Sequence, residues 1–161
     1  MGISVGMTLP EASFVRMGDK EAETVTLSSV TKGRKIVLFG LPGAYTGTCS
    51  TSHIPSFIRT AAAFRDKGIA EIVCVSVNDP FVLKAWGEAT GATAAGITHL
   101  GDADGSFTRA LEMDFTVPAI GLIGRSNRYA VVLENGVVTV ANVDAPDVCD
   151  ISTGEGLLAA L

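Results

Sequence analysis

The sequence predicts an α/β fold, a central mixed sheet with helices on both faces, and three observations predict it. Two short runs of branched apolar residues, "KIVLF" at 35–39 and "EIVCVSV" at 71–77, have the composition of buried strands. The segment between them carries apolar residues at three- and four-residue steps, so the connection has the helical character and the length that a parallel βαβ crossover needs. Further on, Asn135-Gly136 separates two apolar runs and is the preferred two-residue turn of a hairpin.

Taken in order, the strand at 35–39 leads through a loop into a helix expected from Cys49 to Lys67 and closed by Gly68. Ile54, Phe57, Ile58, Ala61 and Ala62 form its apolar face, and Pro55 must bend it or mark its first turns. After the strand at 71–77, "NDPFVLKAWGEATGA" predicts a second helix with Asp79 as N-cap and Pro80 at the first helical position. In it Phe81, Val82 and Trp86 have the spacing of core residues. "ITHLGD" reads as a strand and "GSFTRALEM" as a short helix capped by Ser106 or Asp104. "DADG" at 102–105 has part of the pattern of a calcium loop without its bidentate glutamate, so a strand-to-helix turn is the better reading. "RYAVVLENGVVTVANV" is the hairpin, and "STGEGLLAAL" a terminal helix opened by a cap-like Ser152. This order fits a thioredoxin-like sandwich, one of several α/β arrangements that the pattern allows. At 161 residues the chain suits one domain, 1–161, with a single core.

Charge and hydropathy exclude several function classes. The formal net charge is −5 and the 12 Lys and Arg are scattered, so no attraction to nucleic acid is expected. The longest apolar runs are broken by Gly and Pro and are too short to span a bilayer. "MGISVGMTLP" has no basic or apolar region of a secretory signal, and Gly6 breaks the myristoylation pattern that Gly2 would start. A soluble cytoplasmic protein with neither nucleic acid nor membrane as partner is expected.

Three cysteines, Cys49, Cys74 and Cys149, cannot all pair within one chain, and the absence of C-x-x-C argues against a redox dithiol and a zinc knuckle. Cys49 stands where a loop rich in Pro42, Gly43 and Gly47 becomes a helix. There the first backbone N–H groups have no partner within the helix, and the positive end of its dipole favours thiolate over thiol. The sequence offers no metal or organic cofactor site: Cys49 and His53 would be two ligands without further ones.

Pro42, Thr46 and Cys49 form P-x-x-x-T-x-x-C, which resembles the peroxiredoxin active-site signature. "LFGLPGAYTGTCSTSHIPSF", "EIVCVSVNDPFVLKAW" and "GRSNRYAVVLENGVV" narrow the resemblance to the type II, or fifth, class. That resemblance implies a peroxidase for H2O2 and organic hydroperoxides, acting without a cofactor as a homodimer. Cys49 would be the peroxidatic cysteine, oxidised to a sulfenic acid. Thr46 would hydrogen-bond thiolate and peroxide, and Pro42 would cover the sulfur. The family's arginine maps to Arg128, with Arg125 as its rival on a small register shift. Gly47 stands where the class usually has Pro, and Tyr45 where it usually has Phe; neither removes a reacting group.

The sulfenic acid is expected to be reset by an external thiol, glutathione with glutaredoxin or thioredoxin. Cys74, mid-strand, reads as a core residue, and Cys149 lies in the polar segment "DAPDVCDIST"; either is a possible resolving cysteine on the family's pattern. His53, one helical turn after Cys49, reads as a packing or hydrogen-bonding residue. A thiol–disulfide oxidoreductase and a stoichiometric redox sensor are the competing functions; turnover separates the sensor from an enzyme.

Overall fold

The structure, a computed structural model, describes residues 2–146 and 148–161; the side chains of Cys49 and Ser50 lie outside the described residues. The chain opens with a hairpin, β1 (Ser13–Met17) and β2 (Ala22–Thr26), and a short helix α1 (Leu27–Thr31) capped by the Thr26 hydroxyl, which accepts from Ser29 N. Next come β3 (Lys35–Gly40), a π-helical turn (Cys49–His53), α2 (Ile54–Asp66), β4 (Glu71–Ser76), α3 (Pro80–Thr90) and β5 (Ile97–Gly101). The rest is α4 (Ser106–Ala110), β6 (Asp114–Val117), β7 (Leu122–Ser126), β8 (Tyr129–Glu134), β9 (Val137–Val143) and α5 (Gly154–Ala159).

Seven strands form one mixed sheet in the order β2-β1-β5-β4-β3-β8-β9. β3, β4 and β5 are parallel neighbours, as the expected crossover requires, and β8 pairs with β9 as the expected hairpin and runs antiparallel to β3 on its other side. The pleat sends alternate residues to opposite faces. Val37, Phe39, Cys74, Ala130 and Val132 meet Phe57 and Phe64 of α2, Trp86 of α3 and Leu157 of α5. Ile36, Leu38, Val73, Val75, Val131 and Leu133 meet Leu27 of α1 and Phe107 of α4. Helices therefore cover both faces, as predicted. Phe39 and Phe57 stack at 3.9 Å between ring centres, docking α2 on the sheet; each buried ring contributes about 1.5–3 kcal/mol.

The expected Cys49–Lys67 helix is in two parts. Proline has no N–H, and its ring would collide with the carbonyl four residues back in a continuous α-helix. The wider π-helical turn precedes Pro55, which falls in the first turn of α2. The helix ends as expected: Gly68 adopts φ +86°, and Ile69 N donates back to Phe64 O at 3.1 Å. Asn135 and Gly136 take φ +51° and +82°, the two left-handed residues of the predicted hairpin turn.

Three expectations need correction. The N-cap position of α4 is Gly105, and the buried Asp102 carboxylate accepts from Phe107 N and from the N–H and hydroxyl of Thr108, while Asp104 accepts from Ser106 N. The cap of α5 is Thr153 instead of Ser152, because the Ser152 hydroxyl is engaged by Asp144. Phe81 is 67% exposed, whereas Trp86 is fully buried and Val82 packs on the core. The sequence reading also missed β1, β2, α1 and the separate two-stranded sheet of β6 and β7. No helix of the described residues is long and apolar enough to cross a membrane.

Candidate active site

The loop between β3 and the π-helical turn is built on a tight turn from Gly43 to Thr46. Thr46 N donates to Gly43 O at 3.3 Å, and the Thr46 hydroxyl donates to the same carbonyl at 2.6 Å. Because the hydroxyl's only proton is used there, it is not available to a thiolate, contrary to what the resemblance implies, and its lone pairs remain to accept a hydrogen bond from a ligand. Tyr45 takes φ +62° at the third position of this turn, where glycine is usual, and its side chain is 60% exposed.

Two side chains from distant parts of the chain hold the loop from outside. Arg125 Nη1, on β7, donates to Pro42 O at 2.9 Å. Asn78 Oδ1, in the turn before α3, accepts from Ala44 N at 3.0 Å. Gly43, between them, has φ +139°, and a Cβ there would stand 2.3 Å from Arg125 Nη1 and 3.1 Å from Asn78 Oδ1. A side chain at position 43 would therefore have to displace the Arg125 guanidinium and would strain a backbone angle that favours glycine.

Beside this loop lies a cavity of about 630 Å³. Pro42 and Thr46 line it from the loop, Arg128 from the approach to β8, and Phe115, Val117 and Ile120 from β6 and the turn that follows it. The structure thus brings Pro42, Thr46 and Arg128 together, and it gives the two arginines different places. Arg128 faces the cavity; Arg125 holds the loop backbone. Arg128 is itself anchored, since its carbonyl accepts from Asp144 N at 3.1 Å.

Gly47 and Thr48 already have helical backbone, so Cys49 opens the π-helical turn within the first turn of the helix, where unpaired N–H groups gather. Its side chain lies outside the described residues. His53 closes that turn, buried against Phe39 and Phe57, and its Nε2 donates to Ser152 O at 2.9 Å. Burial pushes its pKa down to about 4; the bond to Ser152 opposes that, and the nearby Arg128 charge adds to it. With Nε2 carrying the proton, His53 is neutral at pH 7 and serves as a packing and hydrogen-bonding group.

Cys74 is buried at the centre of β4 among Phe39, Trp86 and other core side chains. Cys149 is half-buried in the segment between β9 and α5. That segment is gathered by the Asp144 carboxylate, which accepts from the N–H groups of Asp150, Ile151 and Ser152. Sequence reading missed Asp144 and the loop-holding roles of Asn78 and Arg125. Asn78 belongs to the quoted "SVNDPF" motif, but nothing local says where its amide points.

Comparison with known proteins places these features in a family. A family model described as Redoxin matches residues 4–158. Peroxiredoxin-2E-2, chloroplastic, of Oryza sativa subsp. japonica is 45% identical, with 99% of this chain and 72% of that protein covered. Peroxiredoxin-2C of Arabidopsis thaliana is 43% identical, with 99% of this chain and 98% of that protein covered. Reduced Prx3 of Vibrio vulnificus, solved in complex with H2O2, superposes with a TM-score of 0.91 at 43% identity over 98% of both chains.

Proposed function

This chain belongs to the peroxiredoxins, in their type II branch, and from that premise we propose that it is a thiol-dependent peroxidase with Cys49 as the peroxidatic residue. The observation that carries this reading is that Pro42, Thr46 and Arg128 share one cavity beside the helical turn that Cys49 opens.

The Cys49 thiolate attacks the terminal oxygen of a hydroperoxide. The O–O bond breaks, sulfur becomes the sulfenic acid, and the departing alkoxide or hydroxide takes up a proton. Thr46 accepts a hydrogen bond from the incoming peroxide through its unused lone pairs, which orients the O–O bond. Arg128 favours the thiolate and stabilises the charge that develops on the leaving oxygen. Pro42, buried, keeps water off the sulfur. Phe115, Val117 and Ile120 give the cavity an apolar wall, which suits organic hydroperoxides as well as H2O2.

Regeneration follows by external thiol: one thiol condenses with the sulfenic acid to a mixed disulfide and water, and a second releases Cys49 as thiol with the external disulfide. Glutathione with glutaredoxin, or thioredoxin, fills this role. The burial of Cys74 within the core supports an external route. A homodimer would cover the exposed Tyr45 and Phe81, and the cytoplasm is the proposed compartment.

The test compares wild type with Cys49→Ser in peroxide consumption supported by each thiol system. Loss of turnover is expected; normal turnover in the variant overturns the assignment. Mass spectrometry of peroxide-treated protein tests regeneration: a quantitative Cys49–Cys149 or Cys49–Cys74 bond overturns the external route.

A further inference from the structure

We infer that Arg125 and Asn78 are positioning residues that aim the Thr46 hydroxyl, acting through the backbone on either side of Gly43. The inference rests on the peroxidase reading above, in which Thr46 accepts from the incoming peroxide.

The Thr46 hydroxyl can present its lone pairs to a ligand only while its proton is directed elsewhere, and the 2.6 Å bond to Gly43 O directs it. The direction of that carbonyl is set by its peptide plane, Gly43–Ala44. In a trans peptide the C=O and the following N–H point opposite ways, and no peptide bond among the described residues is cis. When Asn78 Oδ1 takes Ala44 N–H at 3.0 Å, it therefore turns Gly43 O towards Thr46. The preceding plane, Pro42–Gly43, is fixed in the same way: Arg125 takes Pro42 O at 2.9 Å. Both planes flanking the Gly43 Cα are thus held, each by one side chain from an element outside the loop.

Gly43 is the joint between the two planes. Glycine can rotate freely about it, so without outside partners the carbonyl would sample many directions. The side chains press close on it: a Cβ there would stand 2.3 Å from Arg125 Nη1 and 3.1 Å from Asn78 Oδ1, so it could be added only by moving them. The arrangement places a flexible residue where the loop needs an unusual backbone angle and then removes its freedom from both sides. Arg125 thus acts on the reaction at one remove, whereas Arg128 faces the cavity.

The test is a pair of double-mutant cycles. Arg125→Met and Asn78→Ala are each made alone and with Thr46→Val, and the rate constant for oxidation of the reduced protein by H2O2 is measured in competition with catalase. Each single variant is expected to lose about tenfold to a hundredfold. In the Thr46→Val background the same changes should cost less than about twofold, because the group they aim is gone. Arg125→Lys, which keeps a donor, should recover part of the rate. Asn78→Ala changes no charge, so the pH midpoint of Cys49 alkylation, read on its own peptide by mass spectrometry, should not move. Thermal melts verify folding, and Asn78→Ala carries the test if Arg125→Met does not fold.

Equal losses in both backgrounds, or single variants within twofold of wild type, overturn the positioning role and leave the peroxidase reading standing. A Thr46→Val enzyme as fast as wild type removes the proposed part of Thr46 and the inference with it. A wild-type protein that does not react with peroxide at all sinks the functional reading itself.

Discussion

His53 Nε2 donates to the carbonyl of Ser152 across 2.9 Å, joining the turn that Cys49 opens to the segment that leads into α5. The same segment is held from its other side by Asp144, whose N–H bonds the carbonyl of Arg128. One chain of hydrogen bonds therefore runs from the backbone of the cavity arginine to the helical turn that Cys49 opens.

Burial keeps both histidines at a pKa of about 4, and the pH dependence of stability follows. The unfolded values lie near 6.5, above the folded ones, so between pH 4 and 6.5 the unfolded state binds more protons. Stability from this source is fully present above about pH 6.5 and is lost as pH falls towards about 4, by about 3 kcal/mol per histidine. Both ring nitrogens of His99 are buried, against Trp86, without hydrogen-bond partners among the described residues. His99→Phe should stay within about 1.5 kcal/mol of wild type at pH 7 and flatten this dependence. Urea unfolding at pH 7 and pH 4.5 measures it; an unchanged pH dependence refutes the argument.

Arg128→Met should slow peroxide reduction on the order of 10²–10³-fold, the usual effect of removing one group that stabilises developing charge. It should also move the alkylation midpoint of Cys49 upwards, since a cation that favours the thiolate is gone. Stopped-flow oxidation and peptide-resolved alkylation read the two effects separately.

Gly43→Ala places a methyl group 2.3 Å from Arg125 Nη1 at a φ of +139°. The arginine must leave Pro42 O or the loop must shift. A stability loss of about 1–3 kcal/mol is expected together with a fall in peroxidase rate, measured by denaturant unfolding and steady-state turnover. Wild-type values of both would mean that the loop relaxes freely.

Asp144→Ala removes the acceptor for three backbone N–H groups and the Ser152 hydroxyl. Leaving such groups unsatisfied costs about 1–3 kcal/mol for each that water cannot reach. The melting temperature should fall, and alkylation of Cys149 should accelerate as its segment loosens. An unchanged alkylation rate would show that the segment is held by other contacts.

Local signals were legible where one residue type has one physical use. Pro55, Gly68 and the Asn135-Gly136 pair acted as read, because missing donors and positive φ are properties of single residues. The caps of α4 and α5 were misread for the opposite reason. Ser106, Asp104 and Ser152 are good caps in isolation, but Asp102 takes the N–H groups of Phe107 and Thr108, and Asp144 engages the Ser152 hydroxyl and leaves the cap of α5 to Thr153. β6 and β7 were missed because their sheet stands apart from the core, so their residues show no alternation of burial to read.

The sequence by itself determined the class of sheet, the family, and which residues could form the site, since these depend on composition, spacing and motif. Only the tertiary structure decided what Arg125 and Arg128 each do. The two are chemically identical and stand three residues apart, and a strand's end can send such neighbours to different partners. One reaches Pro42 O and the other faces the cavity because β7 and β8 belong to different sheets, and the chain crosses from one to the other between them.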